Sequence, residues 1–575
     1  MDTTVAQRQT TAQVPPQTHS RQATLTFVVV GAALLALCVF FHLYRLAQTP
    51  GWDAQEGYNL DLAWNLLHGR LRLFALTGDF AQHPPLFYLQ VALAVRLLGY
   101  NMLAVRAVTA LYALLTCGAI LLVGRRILGI APAVWAAAAY TVSPVILANT
   151  RWGYSYAQLA FVGLLCLWAT WRYMQARGRP AAEAAPLGLG PQSPPVRAGE
   201  RAGDSSWRWL VIASVLAGVA AFSDYEGVAW VVFVALVVWR VEGRRGWRRA
   251  CIALTIGAGM LLIGLLACLI AAPGVFVADF GTTLSRAGGG NLVIQALDLL
   301  LNYYRLLAYD PWLLLGVVGV FLIPRSRPRG FLLGATALVA LVALKVRDIG
   351  LNLHTIVPLL PLLALGAGVA LDLAVRRLDS WLTHWLAPVA ADAGANQGSN
   401  RLASLGMRFI VTLIVFVVVV SPVAMATASD AVGLSGSLTT RQDALLAPPA
   451  DAQAVADYIY AHAHSGDLVL ASPALAWMFD SPENAPSLRG ADILQTLAQS
   501  GQAAAFYPAG LPADRWAYPV TLDVARYIIV DDLIRQLAAP DQLPALMLLL
   551  HHAQRWPTVY TRGQYTVYER PIAAT

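Results

Sequence analysis

Up to about residue 428 the chain is a succession of apolar runs separated by short polar connectors. The runs centre on residues 25–47, 107–123, 131–148, 157–171, 209–223, 227–239, 251–272, 311–323, 331–344, 351–371 and 409–427. A membrane-crossing helix needs about 20 mostly apolar residues, so the pattern predicts a polytopic α-helical membrane protein of about eleven spans, thirteen at most. The apolar stretch 85–98 is excluded from that count. It starts on Pro84-Pro85, ends at Arg96 and Gly99, and is short for a crossing, so it is expected to lie along the membrane interface. After residue 428 the rhythm changes. Helical periodicity at 449–464, 493–500 and 540–552 alternates with strand-like runs at 467–472, 525–530, 558–560 and 565–568. That alternation predicts a small α/β domain over 429–575.

Composition agrees with the pattern. Of 575 residues, 58% are hydrophobic and 13% charged, with a mean hydropathy of +0.57. A soluble protein would carry roughly a quarter charged residues. The formal net charge of +8 is not a nucleic-acid signature, because its arginines cluster in connectors: the N-terminus, Arg125-Arg126, 172–208, 240–249, 325–329 and 376–408. Positive connectors stay on the cytoplasmic side. The N-terminus is therefore expected inside, and the connectors 48–106, 149–156, 224–226, 273–310 and 345–350, with everything after 428, outside a plasma membrane. Residues 1–24 read as a disordered cytoplasmic segment without a signal-peptide cleavage pattern. The Pro/Gly/Ala-rich stretches 177–206 and 390–400 read as linkers. Five cysteines lie in or beside apolar runs and suggest neither disulfides nor a thiolate metal site.

The chemistry concentrates in residues 52–88, WDAQEGYNLDLAWNLLHGRLRLFALTGDFAQHPPLFY. Carboxylates and imidazoles beside a span are costly unless they serve a cavity or a site. Asp53 and Glu56, one helical turn apart, are the candidate catalytic carboxylates. Asp61 and His68 read as the wet face of an amphipathic helix over 55–68. The other exterior connectors add Arg151 and Tyr154 (NTRWGYSY), Asp224 and Glu226 (SDYE), and Lys345, Arg347 and His354 (KVRDIGLNLH). Short connectors at one membrane face must converge. Arg151, Lys345, Arg347, His354 and His83 are the candidate ligands of a phosphate, which suits cations. Tyr58, Tyr154, Asp224 and Glu226 are candidate contacts for a sugar or acceptor. The carboxylates suit either deprotonation of a nucleophile or a divalent cation. For each cation, snorkelling to lipid headgroups is the bland alternative. Asp480, Glu483, Asp531 and Asp532 read as surface carboxylates.

The order of W-D-A-Q-E-G-Y, a helix ending N-L-L-H-G-R, then H-P-P-L-F-Y-L and Gly-Tyr-Asn…Arg106 resembles the first exterior loop of GT-C glycosyltransferases. The branch is the one with dolichyl-phosphate-mannose–protein mannosyltransferases and lipid A aminoarabinose transferases. LHTIVPLLPLLALGAG at 353–368 is similar to a later span of that family. Three departures stand out. The family's D-E pair is Gln55-Glu56 with Asp53 displaced, no carboxylate occurs near 156–158, and Asp224-Tyr225-Glu226-Gly227 replaces a Thr-Lys-Gly. The resemblance implies transfer of a sugar from a polyprenyl-phosphate donor to an exterior protein, lipid or glycan, with no nucleotide and no nucleic-acid partner. It also leaves the sugar and the metal requirement undefined. A transporter or flippase of polyprenyl-linked lipids, and a non-catalytic membrane scaffold, are the competing classes.

Overall fold

The computed structural model describes residues 21–69, 84–177, 198–271, 273–274, 276–277, 280, 310–323, 327–346, 353–392, 446–480, 486–499, 518–539 and 543–571. The helical part comprises α1 (Arg21–Leu43), α2 (Ala54–Leu67), α3 (Leu86–Leu98), α4 (Met102–Ile127), α5 (Ile130–Val142), α6 (Pro144–Arg151), α7 (Tyr156–Arg177), α8 (Ala198–Ser223), α9 (Val228–Glu242), α10 (Trp247–Ala271), α11 (Pro311–Leu322), α12 (Arg327–Val346) and α13 (Leu360–Asp392). Among the described residues, five helical stretches are long and apolar enough to cross a membrane. They are Thr24–Leu43, Met102–Ile127, Ser205–Ser223, Tyr225–Ala271 and Ile356–Trp381. The bent pair α5–α6 makes a sixth if it is counted as one span. The apolar run at 409–427 lies outside the described residues.

The bend between α5 and α6 is 62° and has a local cause. Pro144 cannot donate a backbone hydrogen bond and forces the preceding residue out of the helical region. Ser143 accordingly sits at φ −73°, ψ 117°, and its hydroxyl caps α6 by accepting from the Ile146 N–H at 3.0 Å. With 13 residues, α3 reaches only about 20 Å at 1.5 Å per residue, short of a roughly 30 Å hydrocarbon core.

Residues 446–571 build a mixed sheet, with α14 (Pro449–His462), β1 (Leu468–Ala471), α15 (Pro473–Ala476), β2 (Arg489–Asp492), α16 (Ile493–Gln499), β3 (Ala525–Val530), α17 (Asp532–Leu537), α18 (Pro544–Ala553), β4 (Thr558–Arg562) and β5 (Tyr565–Glu569). The strand order is β2-β1-β3-β5-β4. β1 is parallel to β2 and β3, whereas β5 is antiparallel to β3 and β4. Residues one apart on a strand face opposite sides, and both sides here are apolar. Leu468, Leu470, Ile528 and Val530 pack into a layer with Leu494, Leu546 and Leu550. Val469, Ala471, Tyr527, Ile529 and Val567 pack instead with Trp52, Leu60, Trp64, Phe87 and Val105 from α2, α3, α4 and the segment before α2. One face of the sheet is thus built directly onto the residues around α2. A backbone pair between Trp52 and Ala447, at 2.9 and 2.8 Å, adds a further tie. Gly57 permits the closest approach, since a Cβ there would stand 2.0 Å from the Pro473 carbonyl oxygen. Two carboxylates expected on the surface, Asp480 and Asp531, are buried in this domain. Asp531 caps α17 by accepting from the Ile534 N–H at 3.0 Å, while Glu483 lies outside the described residues.

Candidate active site

The segment leaving α1 is fixed by two buried arginines. Arg151, at the end of α6, donates from its two terminal nitrogens to the carbonyls of Phe41 at 2.6 Å and Tyr44 at 2.7 Å. Arg106, in the second turn of α4, donates to the carbonyls of Leu46 at 3.0 Å, Pro50 at 2.8 Å and Gly51 at 2.9 Å. Both side chains serve the helix-terminal and loop carbonyls that have no partner within α1. The expectation that Arg151 holds a donor phosphate is corrected by this arrangement. Its terminal nitrogens point into the bundle, and the residue is 1% exposed.

Glu56 is likewise committed. Its carboxylate receives Arg106 Nε at 2.7 Å and a terminal Arg106 nitrogen at 2.6 Å. It also accepts from the Gly153 N–H at 2.8 Å and the Asp53 N–H at 3.0 Å. With four donors and no exposed surface, Glu56 offers no lone pair to a substrate. The expectation that it could be the catalytic base gives way to that of an anchor. Asp53 is different. It is half-buried at the start of α2, where one oxygen accepts from the Gln55 N–H at 2.8 Å and from the Tyr154 hydroxyl at 2.6 Å. The two carboxylates form a reciprocal capping box, so α2 starts where it does because of the residues that the sequence marked for chemistry.

The connector 152–156 joins these groups. Gly153 lies so close to α4 that a Cβ would meet Val105 Cγ1 at 2.0 Å, and this proximity lets its N–H reach Glu56. Its carbonyl accepts from Asn59 Nδ2 at 2.5 Å. The next two side chains diverge: Tyr154 donates to Asp53, and Ser155 Oγ donates to Asp224 at 2.7 Å. Three connectors that are far apart in sequence therefore meet at one end of the bundle, as the pattern of polar residues predicts. Gln55, Asn59, Phe87, Tyr88, Tyr154, Ser155 and Tyr156 line a small cavity of about 40 Å³ between them.

The remaining expected residues are distributed unevenly. Tyr58 donates to Asp492 at 3.1 Å and joins α2 to the sheet domain. Asp224 and Glu226 are both buried, and Asp224 accepts from Ser155 Oγ at 2.7 Å. His83 and Arg347 lie outside the described residues. Lys345, on the last turn of α12, and His354, in the 3₁₀ turn Leu353–Leu359, are placed by their backbone only. Asp61, expected on a wet face, is fully buried and accepts from Asn65 at 3.0 Å, whereas His68 is exposed. The sequence pattern assigns no site role to Arg106, Ser155 or Asn59. A readable signal existed for Arg106, because a lone arginine early in an apolar helix requires a buried partner.

The family described as dolichyl-phosphate-mannose-protein mannosyltransferase matches residues 82–184, the part that holds α3, α4 and the 152–156 connector. Among solved structures, ArnT from Cupriavidus metallidurans bound to undecaprenyl phosphate superposes with a TM-score of 0.55 at 16% identity, covering 96% of this chain and 99% of that one. AglB, the oligosaccharyltransferase of Archaeoglobus fulgidus in complex with an inhibitory peptide and a dolichol-phosphate, gives 0.52 at 13% identity over 92% of this chain and 72% of that one. No curated protein matches by sequence. ArnT and AglB are GT-C glycosyltransferases, and the chain has a GT-C-like helical fold.

Proposed function

We propose that the protein is a membrane glycosyltransferase that moves a sugar from a polyprenyl-phosphate donor to an acceptor outside the membrane. Support comes from the GT-C fold, from the bound undecaprenyl phosphate and dolichol-phosphate of two similar structures, and from one feature of this chain. Asp53 is the half-exposed carboxylate of the converging connectors, oriented by a phenol and by the first turn of α2. In this reading the acceptor's hydroxyl or amine gives its proton to Asp53, and the freed lone pair attacks the anomeric carbon. The bond from that carbon to the phosphate oxygen breaks, and its electron pair leaves with the polyprenyl phosphate. A positioned base of this kind contributes roughly 10²–10⁴-fold. Glu56 and Arg106 hold Asp53 in place and touch no substrate.

His83, Lys345, Arg347 and His354 remain the candidates for the donor phosphate, whose charge grows as the sugar leaves. Arg151 drops out of that set. Tyr154 keeps a place beside Asp53, and Tyr58 is assigned to domain docking.

The test is release of free polyprenyl phosphate by the full-length protein in lipid vesicles, using polyprenyl-phosphate sugars and wild type against Asp53→Asn. Release in wild type and its loss in the variant support the reading. Passage of labelled donor across the bilayer without release overturns it in favour of a flippase.

A further inference from the structure

The helix ends opposite the converging connectors hold a feature that neither the fold nor the proposed chemistry uses. α7 starts at the 152–156 connector and runs 22 residues, about 33 Å, to Arg177. α9 starts beside the Tyr225–Gly227 turn and ends at Glu242, and α12 starts at Arg327 and carries Lys345 at its other end. Between these three helices, at the Arg177 end, lies a cavity of about 950 Å³. Its walls are apolar, with Phe233, Leu236, Phe331, Leu338 and Leu341 among them, and its two charged members are Arg177 and Arg240. Phe331 packs against Phe233 and Trp171, with ring centroids 5.3 Å apart in both pairs, and forms the buried inner wall. Gly330, Gly334 and Ala337 recur along one face of α12. They keep the space open, since a Cβ on Gly330 would meet nothing within 4 Å and one on Gly334 would only touch Phe233 at 4.0 Å. Leu236, Gly334 and Leu341 are exposed, so the cavity opens on the outer surface of the helical part.

We infer that this cavity binds an anionic glycerophospholipid of the leaflet opposite the candidate active site, with its phosphate on Arg177 and Arg240 and an acyl chain along Phe233, Phe331 and Leu341. Charge is the first reason. Residues 240–249 hold five arginines and one acid, Glu242. That acid is already claimed by Arg177 Nε at 2.8 Å, by Arg249 at 2.6 Å and by the Tyr173 hydroxyl. Arg240 is exposed and pairs with no carboxylate among the described residues. Basic pockets between membrane helices take anionic headgroups. Level is the second reason. Trp239 and Trp247, both more than half exposed, flank these arginines, and tryptophan marks the boundary between hydrocarbon and headgroups. Depth is the third. From Gly330 to Leu341 the lined face of α12 climbs about 16 Å, close to half of the roughly 30 Å hydrocarbon core, which is the reach of one leaflet's acyl chain. A polyprenyl-phosphate donor fits less well, because its phosphate would belong at the connectors, at the other end of α7. The binding does not rest on the transferase reading.

Full-length protein, delipidated in detergent, is melted while phosphatidylglycerol is titrated in, against phosphatidylcholine with the same acyl chains and against inorganic phosphate. Wild type should melt higher with phosphatidylglycerol, since a ligand bound only by the folded state stabilises it, and should need roughly tenfold more phosphatidylcholine for the same shift. Arg240→Gln, which removes no ion pair among the described residues, should raise the phosphatidylglycerol requirement several-fold. Gly334→Leu fills the groove and should abolish the shift. Without lipid it should melt at or above wild type, because leucine favours a helix over glycine. Equal responses of wild type to the two phospholipids, or a phosphatidylglycerol response unchanged in Arg240→Gln or in Gly334→Leu, overturn the inference. A shift with inorganic phosphate alone also overturns it, by making the arginines an anion site without a lipid. If Gly334→Leu melts below wild type without lipid, protein already fills the groove, with the apolar run 409–427 as the candidate, and the inference fails. Because the readout needs no turnover, failure here and failure of the transferase reading are separate results.

Discussion

The assignment of Glu56 as an anchor and Asp53 as the base is decided by comparing Glu56→Gln with Asp53→Asn. Glutamine keeps the size of Glu56 but removes its charge and turns one acceptor oxygen into a donor. Four donors then converge on a group with one accepting atom: two guanidinium nitrogens of Arg106 and the N–H groups of Gly153 and Asp53. Arg106 is 0% exposed and is left without its counter-charge. Removing one partner of a buried ion pair typically costs about 3–5 kcal/mol, a large share of the 5–15 kcal/mol that ordinary folds possess. Asp53→Asn should cost no more than a few tenths of a kcal/mol, because Asn caps a helix about as well as Asp. Thermal melts in detergent, with release of polyprenyl phosphate measured well below the transition, separate the two effects. Glu56→Gln should melt far lower and lose activity in step with folding, and Asp53→Asn should melt like wild type and lose about 10²-fold or more. Pairing Glu56→Gln with Arg106→Met removes both charges and should recover much of the stability, as replacing a whole buried pair often does. A Glu56→Gln protein that melts like wild type but is inactive would refute the reasoning and make Glu56 the base.

Three further outcomes are expected. Gly153→Ala should destabilise by about 1–3 kcal/mol and impair turnover, as overpacking does, because its Cβ meets Val105 at 2.0 Å; Val105→Ala in the same chain should restore part of both losses, and thermal melts of the single and double variants check it. Tyr154→Phe should lower turnover with a stability loss of about 1 kcal/mol, the usual worth of one hydrogen bond, since the bond to Asp53 is removed; an unchanged rate would show that Tyr154 does not orient the carboxylate. Burial pushes the Asp531 carboxyl above its ordinary 3.8, against the opposing pull of Ser472, the Ile534 N–H and Arg535. The folded chain therefore holds this proton at pH values where the unfolded chain has lost it. Its contribution to stability is full below about pH 4 and is lost as pH rises through the elevated value. Hydrogen exchange of the β3 and α17 amides in the full-length protein should show that dependence in wild type and not in Asp531→Asn.

Local features of the site were legible, and long-range ones were not. The start of α2, the proline-led α3 and the alternation of helix and strand after residue 446 all follow from patterns within a dozen residues. Asp53 and Glu56 were found because carboxylates beside a span demand a reason. What each one does was not readable, since it depends on partners 50 and about 100 residues away: Arg106 and Gly153 for Glu56, and Tyr154 for Asp53. The same limit misread Asp61, whose place on an amphipathic pattern suggests water. The wet face of α2 is in fact covered, because the sheet domain packs against that helix through Trp477 and Asp492. Arg151 shows the opposite error. Exposed at a helix end it would snorkel or bind phosphate, but α1 ends beside it, and the Phe41 and Tyr44 carbonyls take up both of its terminal nitrogens. Charge at a membrane-facing loop is therefore ambiguous until its backbone neighbours are known. Two of the residues that look most catalytic in this chain, Glu56 and Arg151, hold the backbone, and of the two candidate carboxylates the less shielded Asp53 is the one we propose for the chemistry.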